Sequence, residues 1–128
     1  MKRTVRLTSL LLCICFVSRA ADSAGSWLRR VPAPFRDVVN PMSHDPDAIA
    51  AGAKLFEHHC AACHGRDASG IGKAPPLISP VVRDASSGSL YWLLRNGILR
   101  RNMPSWSHLP DEQRWQIVTR LKSMQVER

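Results

Sequence analysis

Apolar residues are arranged differently in successive parts of this chain, and the arrangement marks out its elements. The first is a block. Leu7 to Val17 is an almost unbroken apolar run of eleven residues behind the basic Lys2, Arg3 and Arg6. Ser18-Arg19-Ala20 and Asp22-Ser23-Ala24 follow, each a small-x-small cleavage pattern, which is the layout of a secretory signal. A spanning helix needs about 20 apolar residues, so the run is too short for one. Leu12 precedes Cys13 and Ile14 precedes Cys15, so neither cysteine has the small residue before it that lipidation requires. Residues 1–24 are therefore expected to be a signal peptide. Residues 25–44 show no period, and Pro32, Pro34 and Pro41 block any long helix there. They form an irregular leader carrying Trp27, Val31 and Phe35.

From residue 45 the pattern becomes helical. Ala48, Ile49, Gly52, Leu55, Phe56 and His59 recur at steps of three and four, predicting a helix from Pro46 to His59. Asp45 is its N-cap and Pro46 suits its first position. Residues 65–85, rich in Gly, Pro and Ser, read as loop. A second helix is predicted over Ser87 to Asn96, with Leu90, Leu93 and Leu94 inward and Gly97 as its stop. After a loop from Ile98 to Leu109, a last helix opens at Pro110. Asp111 and Glu112 sit in its first turn, where carboxylates favour the positive end of the dipole. Trp115, Ile117, Val118 and Leu121 supply its apolar side. No segment reads as a strand. The expected domain, residues 45–128, is all-α: three to four helices joined by long loops. So small a core seldom stands without a staple, and loops this long need something to pack on.

Charge narrows the partners. The chain carries 18 Lys and Arg against ten Asp and Glu. Loss of residues 1–24 removes four of the basic residues and one acidic, leaving a net charge of +5. That surface suits acidic proteins or anionic membranes. No dense Lys/Arg stripe interleaved with aromatics appears, which argues against nucleic acid.

The cysteines carry the chemistry. Cys13 and Cys15 leave with the signal, so only Cys60 and Cys63 remain. In Cys60-Ala61-Ala62-Cys63-His64 they form C-x-x-C-H, the attachment signature of haem c. Two thiols on adjacent turns match two vinyl groups on one side of a porphyrin, and the next residue's imidazole reaches the iron. A thioredoxin-like site would need a βαβ context. Zinc would need a second ligand pair, which His58 and His59 do not find.

With that motif in place, the chain resembles the class I monohaem cytochromes c, small bacterial periplasmic ones above all, over about residues 46–125. Ala51-Gly52-Ala53-Lys54-Leu55-Phe56 leading into His59-Cys60-Ala61-Ala62-Cys63-His64-Gly65 resembles the family's first helix and haem motif. Pro75-Pro76-Leu77 resembles its P-x-L element. The resemblance implies that the Pro75 carbonyl accepts the N–H of the proximal His64 and that Leu77 packs on the haem. Asn102-Met103-Pro104 resembles the element that supplies the second axial ligand, so His64 and Met103 are the expected iron ligands. Where the family usually has an aromatic in its last helix, at the crossing with the first, this chain has Arg120. Trp115 is the expected substitute.

The sixth position decides between function classes. A thioether there fills the site and raises the potential. Met103 is stiffened by Pro104, whereas Met42 lies in the leader and Met124 near the C-terminus. His108 is the competing ligand. Arg100 and Arg101 flank the Met103 loop as a candidate positive rim toward acidic redox partners. The expected function is electron transfer by one covalent haem c cycling between Fe(III) and Fe(II), without substrate chemistry, in the periplasm. One alternative is a cytochrome subunit of a larger periplasmic dehydrogenase or terminal oxidase. Another is a haem enzyme or gas sensor with a labile sixth ligand. Membrane association would run through a partner complex or an uncleaved N-terminus.

Overall fold

A computed structural model of the chain describes residues 25–126. The signal expected over residues 1–24 lies outside the described residues. Residues 25–30 belong to a first unit. There a 3-10 turn over Leu28–Arg30 is closed by bonds from Leu28 N to the Gly25 carbonyl (3.0 Å) and from Arg30 N to the Trp27 carbonyl (3.3 Å).

The second unit begins at Val31 and holds the helices: α1 (Ala33–Arg36), α2 (Pro46–His59), α3 (Ala61–His64), α4 (Pro80–Asp84), α5 (Ser87–Asn96) and α6 (Asp111–Val126). Among the described residues there is no strand, only an isolated antiparallel bridge between Ile98 and Met103. Likewise no helix among them is long and apolar enough to cross a membrane.

The three long helices lie where the pattern puts them. Asp45 Oδ1 accepts from the amides of Asp47 (2.9 Å) and Ala48 (3.4 Å), capping α2. Ser86 Oγ accepts from Ser89 N (3.1 Å) to cap α5. Proline placement explains the short helices. Pro34 falls in the first turn of α1 and Pro80 opens α4, positions where a missing N–H costs nothing. The prolines that forbid long helices thus start short ones, in segments read from the sequence as leader and loop.

The core forms where α6 packs on α2 along one side and on α5 along another. Helix α2 buries Ala48, Gly52 and Phe56, one residue per turn of one face. Helix α5 turns Leu90, Leu93 and Leu94 inward as predicted, and Tyr91 with them. Helix α6 has partners on both sides, α2 and α5, and so buries Trp115, Ile117, Val118, Leu121 and Met124. At its crossing with α2 the two backbones nearly touch. A Cβ on Gly52 would stand 2.1 Å from the Gln116 carbonyl oxygen and 2.9 Å from Arg120 Cβ. The crossing with Arg120 therefore rests on a missing side chain rather than an added aromatic. Trp115 faces the other way and stacks on Tyr91 of α5, with centroids 4.2 Å apart and planes 14° from parallel.

Residues 31–44 lie along α5 and α6. A Cβ on Gly88 would meet the Phe35 carbonyl at 2.0 Å, so the arm's backbone lies directly on α5, and the Phe35 and Trp92 rings stand 6.5 Å apart. Asn40, 4% exposed, donates from Nδ2 to Thr119 Oγ1 (2.8 Å) and accepts from Met42 N (2.9 Å). Thr119 in turn donates to the Trp115 carbonyl (2.9 Å). The arm is thereby bonded to α6 through a buried pair with its polar groups satisfied.

Candidate functional site

The end of α2 and the single turn α3 present the two thiols. Cys60 ends α2 and is buried, whereas Cys63 is exposed, and both are free thiols. Burial, then the neighbouring Cys63, pushes the Cys60 thiol up to about 12.

The following loop folds back on that turn. Gly70 N donates to the His64 carbonyl (2.8 Å) and Ile71 N to the Cys63 carbonyl (3.1 Å). Ala68, fully buried, takes φ +59° and accepts from Leu77 N at 2.8 Å. A left-handed non-glycine residue costs about 1 kcal/mol or more and persists only where its surroundings over-determine it. Here the return bond from Leu77 does so. The consequence is that the Pro75 carbonyl arrives 3.0 Å from His64 Nδ1. A carbonyl only accepts, so Nδ1 carries the proton and donates, leaving Nε2 with its lone pair.

Met103 is presented by a second device. Ile98 N donates to the Met103 carbonyl (2.9 Å) and Met103 N to the Ile98 carbonyl (3.3 Å), closing a small hairpin over the 3-10 turn Leu99–Arg101. Asn102 turns it at φ +58°. Gly97, at φ +71°, leaves room where a Cβ would strike the Met103 carbonyl at 2.7 Å. Behind the hairpin, Trp106 N donates to the Leu94 carbonyl (2.9 Å) and Ser105 Oγ to the Arg95 carbonyl (2.6 Å), fastening the loop to α5. Arg100 and Arg101 stand exposed on the turn, beside Leu99 at 78% exposure.

His108 takes no part in that hairpin. Trp106 stands between it and His59, with ring centroids at 5.5 and 5.0 Å. His58 lies against His59, their Nδ1 atoms 3.4 Å apart. Burial, followed by the charges of His58 and His108, lowers the His59 pKa.

A buried arginine closes the loop's far end, and sequence reasoning did not single it out. Arg114, 4% exposed, donates from Nη1 to the carbonyls of Trp106 (3.2 Å), Ser107 (3.1 Å) and Leu109. Its Nη2 donates to the Tyr91 hydroxyl (3.2 Å) and to Asp111 Oδ1. The residue stands at i−4 and i−7 from the buried Val118 and Leu121. Its place on the inward face was therefore legible, but its charge argued for solvent.

The hydrogen bond from Tyr91, with Arg114 adding to it, holds the Asp111 carboxyl below the ordinary carboxylate range. A depressed acid contributes stability that is present above its unfolded pKa and is lost as pH falls through the folded one. Acid unfolding is therefore expected to steepen below about pH 4. Asp111→Asn should flatten that part of the curve in a denaturation series from pH 6 to pH 2. Parallel curves for the two proteins would contradict it.

The residues present fit a covalently held haem. Two free thiols flank one turn, and the adjacent imidazole has its Nδ1 proton engaged and its Nε2 free. On the loop that follows, Leu77 and Ile78 are only half buried and Ile71 is 56% exposed, leaving apolar surface uncovered. A cleft of about 270 Å³ elsewhere, between residues 40–49 and α6, contains none of these residues.

Comparison with known proteins points the same way. A family described as Cytochrome C oxidase, cbb3-type, subunit III matches residues 47–119. The chain is also 35% identical over 80 residues to quinohemoprotein alcohol dehydrogenase ADH-IIG of Pseudomonas putida. That match takes in 59% of this chain but only 11% of the relative's length, so the chain spans about a tenth of that protein.

Proposed function

We propose that this chain, which belongs to the c-type cytochrome domains of the Cytochrome C oxidase, cbb3-type, subunit III family, is a single-haem electron carrier whose iron is held by His64 and Met103. The family's domain carries covalently bound haem c and moves electrons, so the chain is an electron carrier in an all-α cytochrome c fold. Haem c, when bound, supplies the Fe(III)/Fe(II) couple.

The chain's own residues do the rest. Cys60 and Cys63 would be the attachment points, their thiols supplying the two thioether links. His64 is the proximal ligand. Its bond to the Pro75 carbonyl fixes the ring's tautomer and orientation and raises its basicity, and this 3.0 Å contact is the observation that carries the reading. Leu77, on the same loop, would pack on the haem. Met103, on its closed hairpin, would supply the second ligand, a thioether, which raises the potential.

Domains of this kind pair with redox partners or sit within larger complexes, and they are typically exported. The signal read over residues 1–24 supports the periplasm. The exposed Arg100 and Arg101 beside Leu99 support partners with acidic docking surfaces. A second reading has its own support. The relative is a dehydrogenase of which this domain matches one part, so the chain also suits work as the cytochrome of a larger periplasmic dehydrogenase. Co-purification with a large catalytic subunit favours that reading.

The absorption spectrum of the exported protein, oxidised and reduced, tests the ligation. Wild type should show a c-type spectrum with a far-red Met–Fe(III) charge-transfer band. Met103→Ala should keep the spectrum, lose the band and bind carbon monoxide readily when reduced. A wild-type spectrum without that band, unchanged by the substitution, removes Met103 from the iron and returns His108 or an open site to the lead.

A further inference from the structure

We propose that Arg114 is the positioning residue that keeps Met103 on the iron, by capping the backbone of the loop that carries it. The inference rests on Met103 as sixth ligand and concerns what holds it there.

The loop from Met103 to the start of α6 runs seven residues without regular structure. Such a segment would ordinarily expose its carbonyls to water. Here three of them, from Trp106, Ser107 and Leu109, converge on one nitrogen, Arg114 Nη1. A guanidinium is rigid and permanently charged, with several donors in one plane, so a single side chain sets the separations of all three carbonyls. Its other end is anchored in turn. Nη2 reaches the Tyr91 hydroxyl and Asp111, and Tyr91 also donates to Asp111 Oδ1 at 2.7 Å. The guanidinium lies 5.3 Å over the Tyr91 ring, which is itself stacked on Trp115. Tyr91 belongs to α5 and Arg114 to α6, so the clamp ties the loop to both helices behind it.

Upstream, the Trp106–Leu94 bond and the Ile98–Met103 pair hold the same loop. With these bonds made, Met103 has little freedom to swing outward. Releasing the clamp leaves the Ser107 and Leu109 carbonyls without their donor, while the Trp106 carbonyl keeps only Leu109 N, and the loop then reaches water by opening. An opened loop exposes the sixth position to competing ligands. Their apparent affinity rises in proportion to the open fraction.

The test uses the ferric holoprotein, titrated with imidazole and followed by the loss of the Met–Fe(III) band. Arg114→Met keeps length and apolar packing but removes every donor. It should bind imidazole roughly tenfold or more tightly than wild type. Val118→Ala, a fully buried position one turn further on, is the stability control. It should melt earlier while its imidazole affinity stays within about twofold. An unchanged affinity in Arg114→Met overturns the proposal, and so does an equal change in both variants, which would make Arg114 merely structural. Should Arg114→Met fail to fold, Tyr91→Phe and Asp111→Asn release only the anchors. Each should raise the affinity by roughly threefold, and no change in either overturns the proposal. A wild type with no Met–Fe(III) band overturns the ligation itself, and this inference with it. A band present in wild type and unmoved by the variants overturns the inference alone.

Discussion

Cys60→Ser/Cys63→Ser is expected to leave the protein without haem on a denaturing gel and to remove most of its helical circular dichroism. The reason lies in how the core is distributed. The largest fully buried side chains among the described residues are Val31, Ile117 and Val118, from the arm and α6. On the other side, the loop after α3 offers only half-buried Leu77 and Ile78 and exposed Ile71. A unit of this size seldom folds robustly on one such core. A ligand that binds only the folded chain stabilises it by mass action, and tethering raises its effective concentration to the millimolar range or above. Either single substitution keeps one tether, and should give a coloured, less stable protein. Full helicity and an unchanged melting temperature in the double variant would show that the packing of α6 on α2 and α5 suffices alone. Covalent pigment persisting in it would remove the cysteines from the attachment.

The second large effect is expected at a residue that touches no functional group. Gly52→Ala should lower Tm by roughly 10–20 °C, from about 2–3 kcal/mol of lost stability. Helix propensity alone argues the opposite sign, since alanine is favoured over glycine inside a helix by about 1 kcal/mol. Packing decides. The added carbon would sit 2.1 Å from the Gln116 carbonyl oxygen, and a backbone atom in the middle of α6 cannot step aside. The helices must separate, taking Phe56 and Val118 out of contact with their neighbours. Thermal melts of the two holoproteins would settle it, and an unchanged or raised Tm would mean the crossing is looser than the structure has it.

These two positions differ in how far a reader of the sequence can see them. Cys60, Cys63 and His64 are legible because their chemistry depends on spacing along one turn, which is a local property. The three long helices are legible for the same reason: the cap at Asp45, the stop at Gly97 and apolar steps of three and four are set by near neighbours. Gly52 is visible only as a small residue on an apolar face. The short helices at Ala33–Arg36 and Pro80–Asp84 were hidden because proline signals a stop and a start alike.

What the sequence by itself determined was the chemistry: two thiols and an imidazole on one turn, a methionine on a later loop, and the helices between them. Tertiary structure alone decided how those parts are held. It brought the Pro75 carbonyl to His64 by way of the left-handed Ala68, and laid α6 on the bare backbone of Gly52. It turned Trp115 toward Tyr91 rather than α2, and buried the charge of Arg114 against three loop carbonyls. Each of these pairs residues from different elements. Contacts of that kind leave no period or motif in the chain, because their cost and gain arise only once the elements have packed together.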